Sequence, residues 1–187
     1  MFSTLLLLSL SATVCLAGMG PCPTPEVMKD FELEKLAGTW YEIEGTAGVD
    51  LLAKRCSKYV LESKGKLKAS LLHKYVSVLT GKSKSEFSEL ITPKSSEPAK
   101  LQMNPLKGTV LARRKPVWII DTDYENYVLG YSCVHKVVSH TEEVNILART
   151  KTVDDKEMMK YYDILKKKDI NQKSLMKIDQ EHKDCEE

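Results

Sequence analysis

From residue 40 onward, apolar side chains recur at alternate positions in short runs separated by Gly, Pro, Ser, Asp or Asn. That period belongs to strands with one buried face. Residues 40–43 begin the first run, after a helical turn over 31–36 that ends at Gly38. Residues 59–61 belong to a second, closed by Ser63-Lys64-Gly65-Lys66, which has hairpin-turn chemistry. A long third run, 67–79, ends at Gly81, and 86–91, 100–106, 117–120, 127–133 and 144–149 complete the set. About eight strands with short connections predict an antiparallel barrel or sandwich, because closing the sheet removes exposed edges.

The pattern changes once, after Thr152. Met158, Tyr161, Tyr162 and Leu165 recur at i, i+3, i+4 and i+7, which predicts a helix over 154–168 with one buried stripe. Asp154, Asp155 and Glu157 at its start and Lys166, Lys167 and Lys168 at its end oppose the helix dipole. Periodicity by itself leaves barrel and sandwich open.

Residues 4–17 form an apolar run ending in small residues, with Cys15 and Ala17 suiting the −3 and −1 cleavage positions. The run is about half of what a bilayer-spanning helix needs, so residues 1–17 are expected to be a cleaved signal peptide and 18–187 a single exported domain. Cys15 leaves with that segment. Cys22, Cys56, Cys133 and Cys185 remain, an even count that implies two bridges in an oxidising compartment, with three pairings open. Asn104, Asn126, Asn145 and Asn171 begin no glycosylation sequon, so N-linked glycans are not expected. The net charge is +2, with both signs interspersed, and offers nucleic acid no basic face.

Little in the chain suggests catalysis. Every cysteine of the exported part has a prospective bridge partner, and no Gly-x-Ser-x-Gly turn activates a hydroxyl, so no enzyme is expected. His73, His135, His140 and His182 lack metal-ligand spacing, so no metal is expected either. His73 could face inward, most simply as a polar barrel residue with ordinary hydrogen bonds. In the turn 107–115, Val110 and Leu111 beside Arg113, Arg114 and Lys115 make an apolar tip with a basic shoulder. A solvated hairpin is the stronger reading; weak contact with an anionic membrane or a receptor is the other.

Gly38-Thr39-Trp40, Thr122-Asp123-Tyr124 and Arg149 resemble, in order and spacing, the three signature regions of lipocalins. Finer matches are to the apolipoprotein D-like branch, which also holds insect bilin-binding proteins, insecticyanins and crustacyanin-type carriers. They include Cys22-Pro23, residues 38–44, 97–101 and 118–127, Tyr131-Ser132-Cys133 and residues 146–149. The resemblance implies an all-β fold: an eight-stranded up-and-down antiparallel β-barrel with one C-terminal α-helix. It implies bridges Cys22–Cys133 and Cys56–Cys185, each worth about 4–5 kcal/mol in the chain-entropy model. It casts Trp40 and Arg149 as a plug, an indole closing one barrel end beneath a stacked guanidinium.

The same resemblance implies a secreted carrier binding a small hydrophobic ligand in its cup, such as a biliverdin-like tetrapyrrole, a carotenoid, a retinoid or a fatty acid. A pigment such as biliverdin is then one cargo among several, and no cofactor is obligatory. Tyr59, Leu71, Tyr75, Asn145 and Leu147 fall where that branch lines its cup, and His73 and Trp118 are further candidates. Tyr59, Tyr75, Trp118 and Asn145 would stack on or hydrogen-bond the ligand, with Leu71 and Leu147 as apolar wall. Leu71 stands for an asparagine of the apolipoprotein D pattern, Tyr75 for an arginine and Asn145 for a tryptophan. The alternative is an interaction or defence lipocalin that scavenges a small amine or acts through its open-end loops. Oligomeric state is not readable.

Overall fold

A computed structural model describes residues 17–46, 53–106 and 114–186 of the chain. Its strands are β1 (Ala17–Met19), β2 (Gly38–Thr46), β3 (Lys54–Ser63), β4 (Lys68–Ser77), β5 (Ser83–Ile91), β6 (Lys100–Pro105), β7 (Lys115–Thr122), β8 (Tyr127–His135), β9 (Ser139–Ala148) and β10 (Leu175–Lys177). The helix α1 (Asp155–Lys167) follows β9, and short 3-10 turns lie at Leu33–Leu36 and Lys183–Glu186. Strands β2 to β9 pair antiparallel in chain order, and β9 returns to β2. The sheet is therefore a closed eight-stranded barrel with one helix, and the sandwich is eliminated.

The two short strands were not legible in the sequence. β3 follows β2 only as far as Tyr41, and β10 takes up the same edge at Glu44, Gly45 and Thr46. β1 pairs with β9 at Ser139, His140 and Thr141, beyond the stretch that β2 covers. Both cover backbone that would otherwise be a free edge.

Two apolar clusters divide along the pleat. Trp40, Leu61, Leu71, Leu101, Ile119 and Val128 meet inside the barrel, over Phe31, Leu33 and Leu36. Ile120, Leu129, Tyr131, Val144 and Ile146 point outward and are covered by Met158, Tyr161 and Leu165 of α1. Asp154 caps this helix by accepting from the Glu157 N–H at 2.9 Å. Full burial of a side chain such as Leu165 contributes about 2 kcal/mol.

The floor is built from the signature residues. Trp40 is fully buried, and its indole N–H donates to the Leu36 carbonyl at 2.8 Å. The Arg149 guanidinium lies 3.5 Å from the ring centroid and donates to the carbonyls of Thr39, Ala37 and Tyr124 at 3.0, 3.0 and 3.1 Å. Gly38 has a φ of +108°, and a Cβ there would sit 2.8 Å from Arg149 Nη1. Thr122 Oγ1 donates to the Tyr127 carbonyl and accepts the Tyr124 N–H, while Asp123 Oδ1 accepts from Glu125, Asn126 and Tyr127. Burial pulls the Asp123 carboxyl upward, but the Asn126 side chain and these N–H groups outweigh it and hold the pKa below its usual value.

Disulfides join Cys22 to Cys133 and Cys56 to Cys185. The second carries the C-terminal tail onto β3, where Cys56 N–H donates to the Asp179 carbonyl and Arg55 pairs with Asp184. The turn carrying Val110, Leu111 and Arg113 lies outside the described residues. Arg114 is exposed, whereas Lys115 belongs to β7 and is ion-paired with Glu143 rather than standing free on a loop shoulder.

Candidate ligand cup

Strand parity fixes which side chains enter the barrel. On β3 and β4, Tyr59 is paired with His73 and Leu61 with Leu71, and Leu61 and Leu71 belong to the inner cluster. Ala69, Leu71, His73 and Tyr75 thus share the inner face of β4. On β9, Leu147 packs on the inner cluster while Val144 and Ile146 lie outside, which places Asn145 inward. Leu71 and Leu147 supply apolar wall above Trp40.

Trp118 is different. On β7 its neighbours Val117 and Ile119 face inward, so Trp118 points outward. There its ring lies 6.0 Å from Tyr131 and carries Lys100 Nζ at 5.0 Å. The sequence reading of Trp118 as a cup residue is corrected by this parity.

Six of the seven expected cup residues therefore share the barrel interior, and the structure adds polar ones that the sequence did not single out. Glu42, two residues after Trp40 on the same face, accepts from Ser57 Oγ and from Asn145 Nδ2, each at 2.5 Å. Ser57 Oγ lies 2.9 Å from His73 Nε2, and His73 Nδ1 lies 3.6 Å from Glu86 Oε2. Tyr75 donates to Glu86 Oε1 at 2.9 Å. Tyr59 stacks on His73 with centroids 4.3 Å apart, and Tyr75 is 4.9 Å from the same imidazole. From the tail, Gln180 Nε2 donates to the carbonyls of Glu42 and Ser57 at 2.8 and 2.7 Å, tying β2 to β3 behind the cluster.

Ser57 is inward by the same parity as Tyr59 and Leu61, and β3 bulges just beside it, between Arg55 and Lys58, with Cys56 at φ 56°. Glu42 was legible from its i+2 relation to Trp40. Glu86 required the β4–β5 register, which sets it opposite His73.

Electrostatics follow this arrangement. Burial raises the Tyr59 phenol well above its ordinary pKa, and the carboxylates of Glu42, Glu143 and Glu86 push it further. The His73 imidazole beside it lowers the Glu86 carboxyl to about 2, against a smaller opposing effect of burial and with help from the Tyr75 hydroxyl. Ser57, His73 and Glu86 stand in the order of an acyl-transfer triad. Ser57 is wholly buried, however, and its hydroxyl donates to Glu42 rather than to the imidazole. Among the described residues no cluster of three His, Cys, Asp or Glu could hold a metal ion. A separate recess of about 300 Å³, between α1 and the β2–β10 edge, shares no residue with the cup.

A plugged, closed barrel whose interior passes from apolar floor to polar wall defines the ligand-cup class of β-barrels. The chain belongs to the lipocalin / cytosolic fatty-acid binding protein family, whose family model matches residues 37–182. It is 31% identical to apolipoprotein D of Macaca fascicularis, over 95% of this chain and 96% of that protein. In structure it is similar to insecticyanin of the tobacco hornworm Manduca sexta, with a TM-score of 0.80 at 24% identity over 91% and 92% of the two chains. Lobster apocrustacyanin A1 has the same fold, with a TM-score of 0.74 at 19% identity over 90% and 93%.

Proposed function

We propose that this protein is a secreted carrier that holds one small hydrophobic ligand inside the barrel. The observation that supports this best is the inner wall itself. Leu71, Leu147 and the Trp40 floor offer an apolar bed, while Tyr59, His73, Tyr75 and Asn145 offer aromatic faces and directed polar groups above it. A biliverdin-like tetrapyrrole, a carotenoid, a retinoid or a fatty acid has the matching composition. Export of residues 18–187 after removal of residues 1–17 fits the two disulfides, which persist in oxidising compartments. No catalytic step is assigned to the cup.

Titration of the processed, disulfide-intact protein with biliverdin, a carotenoid, retinol and palmitate tests the reading. Binding is expected as quenching of indole fluorescence, saturating at micromolar ligand, for at least one of the four. Absence of saturable binding across the panel overturns carriage of these classes.

A further inference from the structure

We propose that the cup selects a ligand whose apolar body carries a protonated amine, anchored on Glu42; the inference rests on the carrier reading and narrows it. It follows from pairing off the inward charges. Lys115, at the start of β7, is ion-paired with Glu143 of β9. Glu86 has His73 beside it and the Lys54 ammonium, which lies over the Tyr75 ring, within its field, and its side chain is 52% exposed, so water reaches it. Glu42 is left over. It is 3% exposed, and its donors, the Ser57 hydroxyl and the Asn145 amide, are both neutral. Among the described residues no lysine or arginine is ion-paired with it, and His73 reaches it only through the Ser57 hydroxyl.

A buried carboxylate held by neutral donors keeps much of its desolvation cost, and each of its oxygens retains acceptor capacity. An ammonium head answers both needs, offsetting the charge and supplying three donors. The surroundings suit a cation. The Tyr59 ring stands within the field of Glu42, Glu143 and Glu86, and aromatic faces attract cations.

One strand beyond Asn145, on β8, the Ser132 hydroxyl supplies a second handle. Ser132 is 5% exposed, faces inward by its pairing with Glu143, and its Oγ has no hydrogen-bond partner. Buried hydroxyls are rarely left so. Beside it on the same face, Gly130 adds no side chain, and even a Cβ there would come no nearer than 3.8 Å to Asn145. The wall is thus recessed between Ser132 and the Asn145–Glu42 pair. A carboxylate head placed in this recess would meet Glu42 as a like charge, so acid ligands would have to seat with their carboxylates away from it.

Isothermal titration of the processed, oxidised chain at pH 7.4 tests this with two bodies and three heads. The probes are dodecylamine, dodecanol and laurate, then tryptamine, tryptophol and indole-3-propionate. On at least one body the amine is expected to bind about tenfold tighter than the alcohol, with the acid weakest. Glu42→Gln is expected to remove about that factor for the amine and leave the alcohol within about twofold. Alcohol or acid binding as tightly as amine on both bodies overturns the amine anchor while leaving carriage intact. So does failure of all six probes when a member of the pigment, retinoid and fatty-acid panel binds. Failure of both sets sinks carriage itself. Should Glu42→Gln not fold by circular dichroism, the ranking of heads on the unaltered protein decides.

Discussion

The floor gives the sharpest energetic test, because one side chain closes it and one glycine makes room for that side chain. Arg149→Ala removes three hydrogen bonds to main-chain carbonyls and a guanidinium stacked 3.5 Å from the Trp40 ring centroid. Water can reach part of this site, so each bond is taken at about 1 kcal/mol, below the range for buried charged donors. The stacking adds about 1 kcal/mol, for a total of about 4 kcal/mol. Arg149→Lys recovers about 1 kcal/mol at most, since a point ammonium cannot span three carbonyls.

Gly38→Ala has two separable costs. Its φ of +108° strains any L side chain by about 1–2 kcal/mol, and its Cβ would stand 2.8 Å from Arg149 Nη1. Relief requires Arg149 to surrender bonds worth about 1–2 kcal/mol. The single variant should therefore lose about 3 kcal/mol, but only about 1.5 kcal/mol in the Arg149→Ala background. Guanidinium titration of the four oxidised proteins, followed by indole fluorescence and far-ultraviolet circular dichroism, yields the cycle. Losses that add to within about 0.5 kcal/mol would refute the claim that Gly38 exists to admit the guanidinium.

Three further outcomes are expected. The double variant Cys56→Ala/Cys185→Ala, which opens a link between positions 129 residues apart, should lose about 2–5 kcal/mol in the same titration; an unchanged midpoint refutes the tethering role. The depressed carboxyl of Glu86 stabilises the fold above its unfolded pKa of about 4.5, and that contribution drains away as pH falls toward 2. The half-exposed side chain limits the effect to about 1 kcal/mol, and Glu86→Gln should flatten stability across that acid window. Trp118→Phe, on the outer face, should leave the affinity of whichever ligand binds within about twofold, and a tenfold loss by fluorescence or calorimetry would return Trp118 to the cup.

Where alternation was clean, the sequence was legible. The strand set and the late helix follow from spacing, and the floor motif was legible through its resemblance to the lipocalin signature regions. Val117-Trp118-Ile119-Ile120 has no polar member, so its inner face cannot be chosen from composition, and the register also shifts between Ile119 and Asp121. Ser57 keeps the parity of Tyr59 and Leu61, but it lies before the run 59–61 that the sequence marked as a strand, so its facing was not drawn. Gln180 and β10 lie in a tail with no periodicity at all, and only tertiary contact reveals that they hold β2. Glu42 was readable two residues beyond Trp40, but it sat within a motif whose other members serve the scaffold.

The tail has a consequence beyond holding the chain together. Cys185 is bonded to Cys56, next to Ser57, and Gln180 grips the carbonyls of both Ser57 and Glu42. One sulfur–sulfur link thus governs how far apart two neighbouring side chains of the receptacle stand. A newly made chain whose Cys56 and Cys185 are still thiols has every lining residue present but lacks the clasp that aligns them. Oxidation would then do two jobs in one stroke, finishing the vessel and making it able to hold a guest.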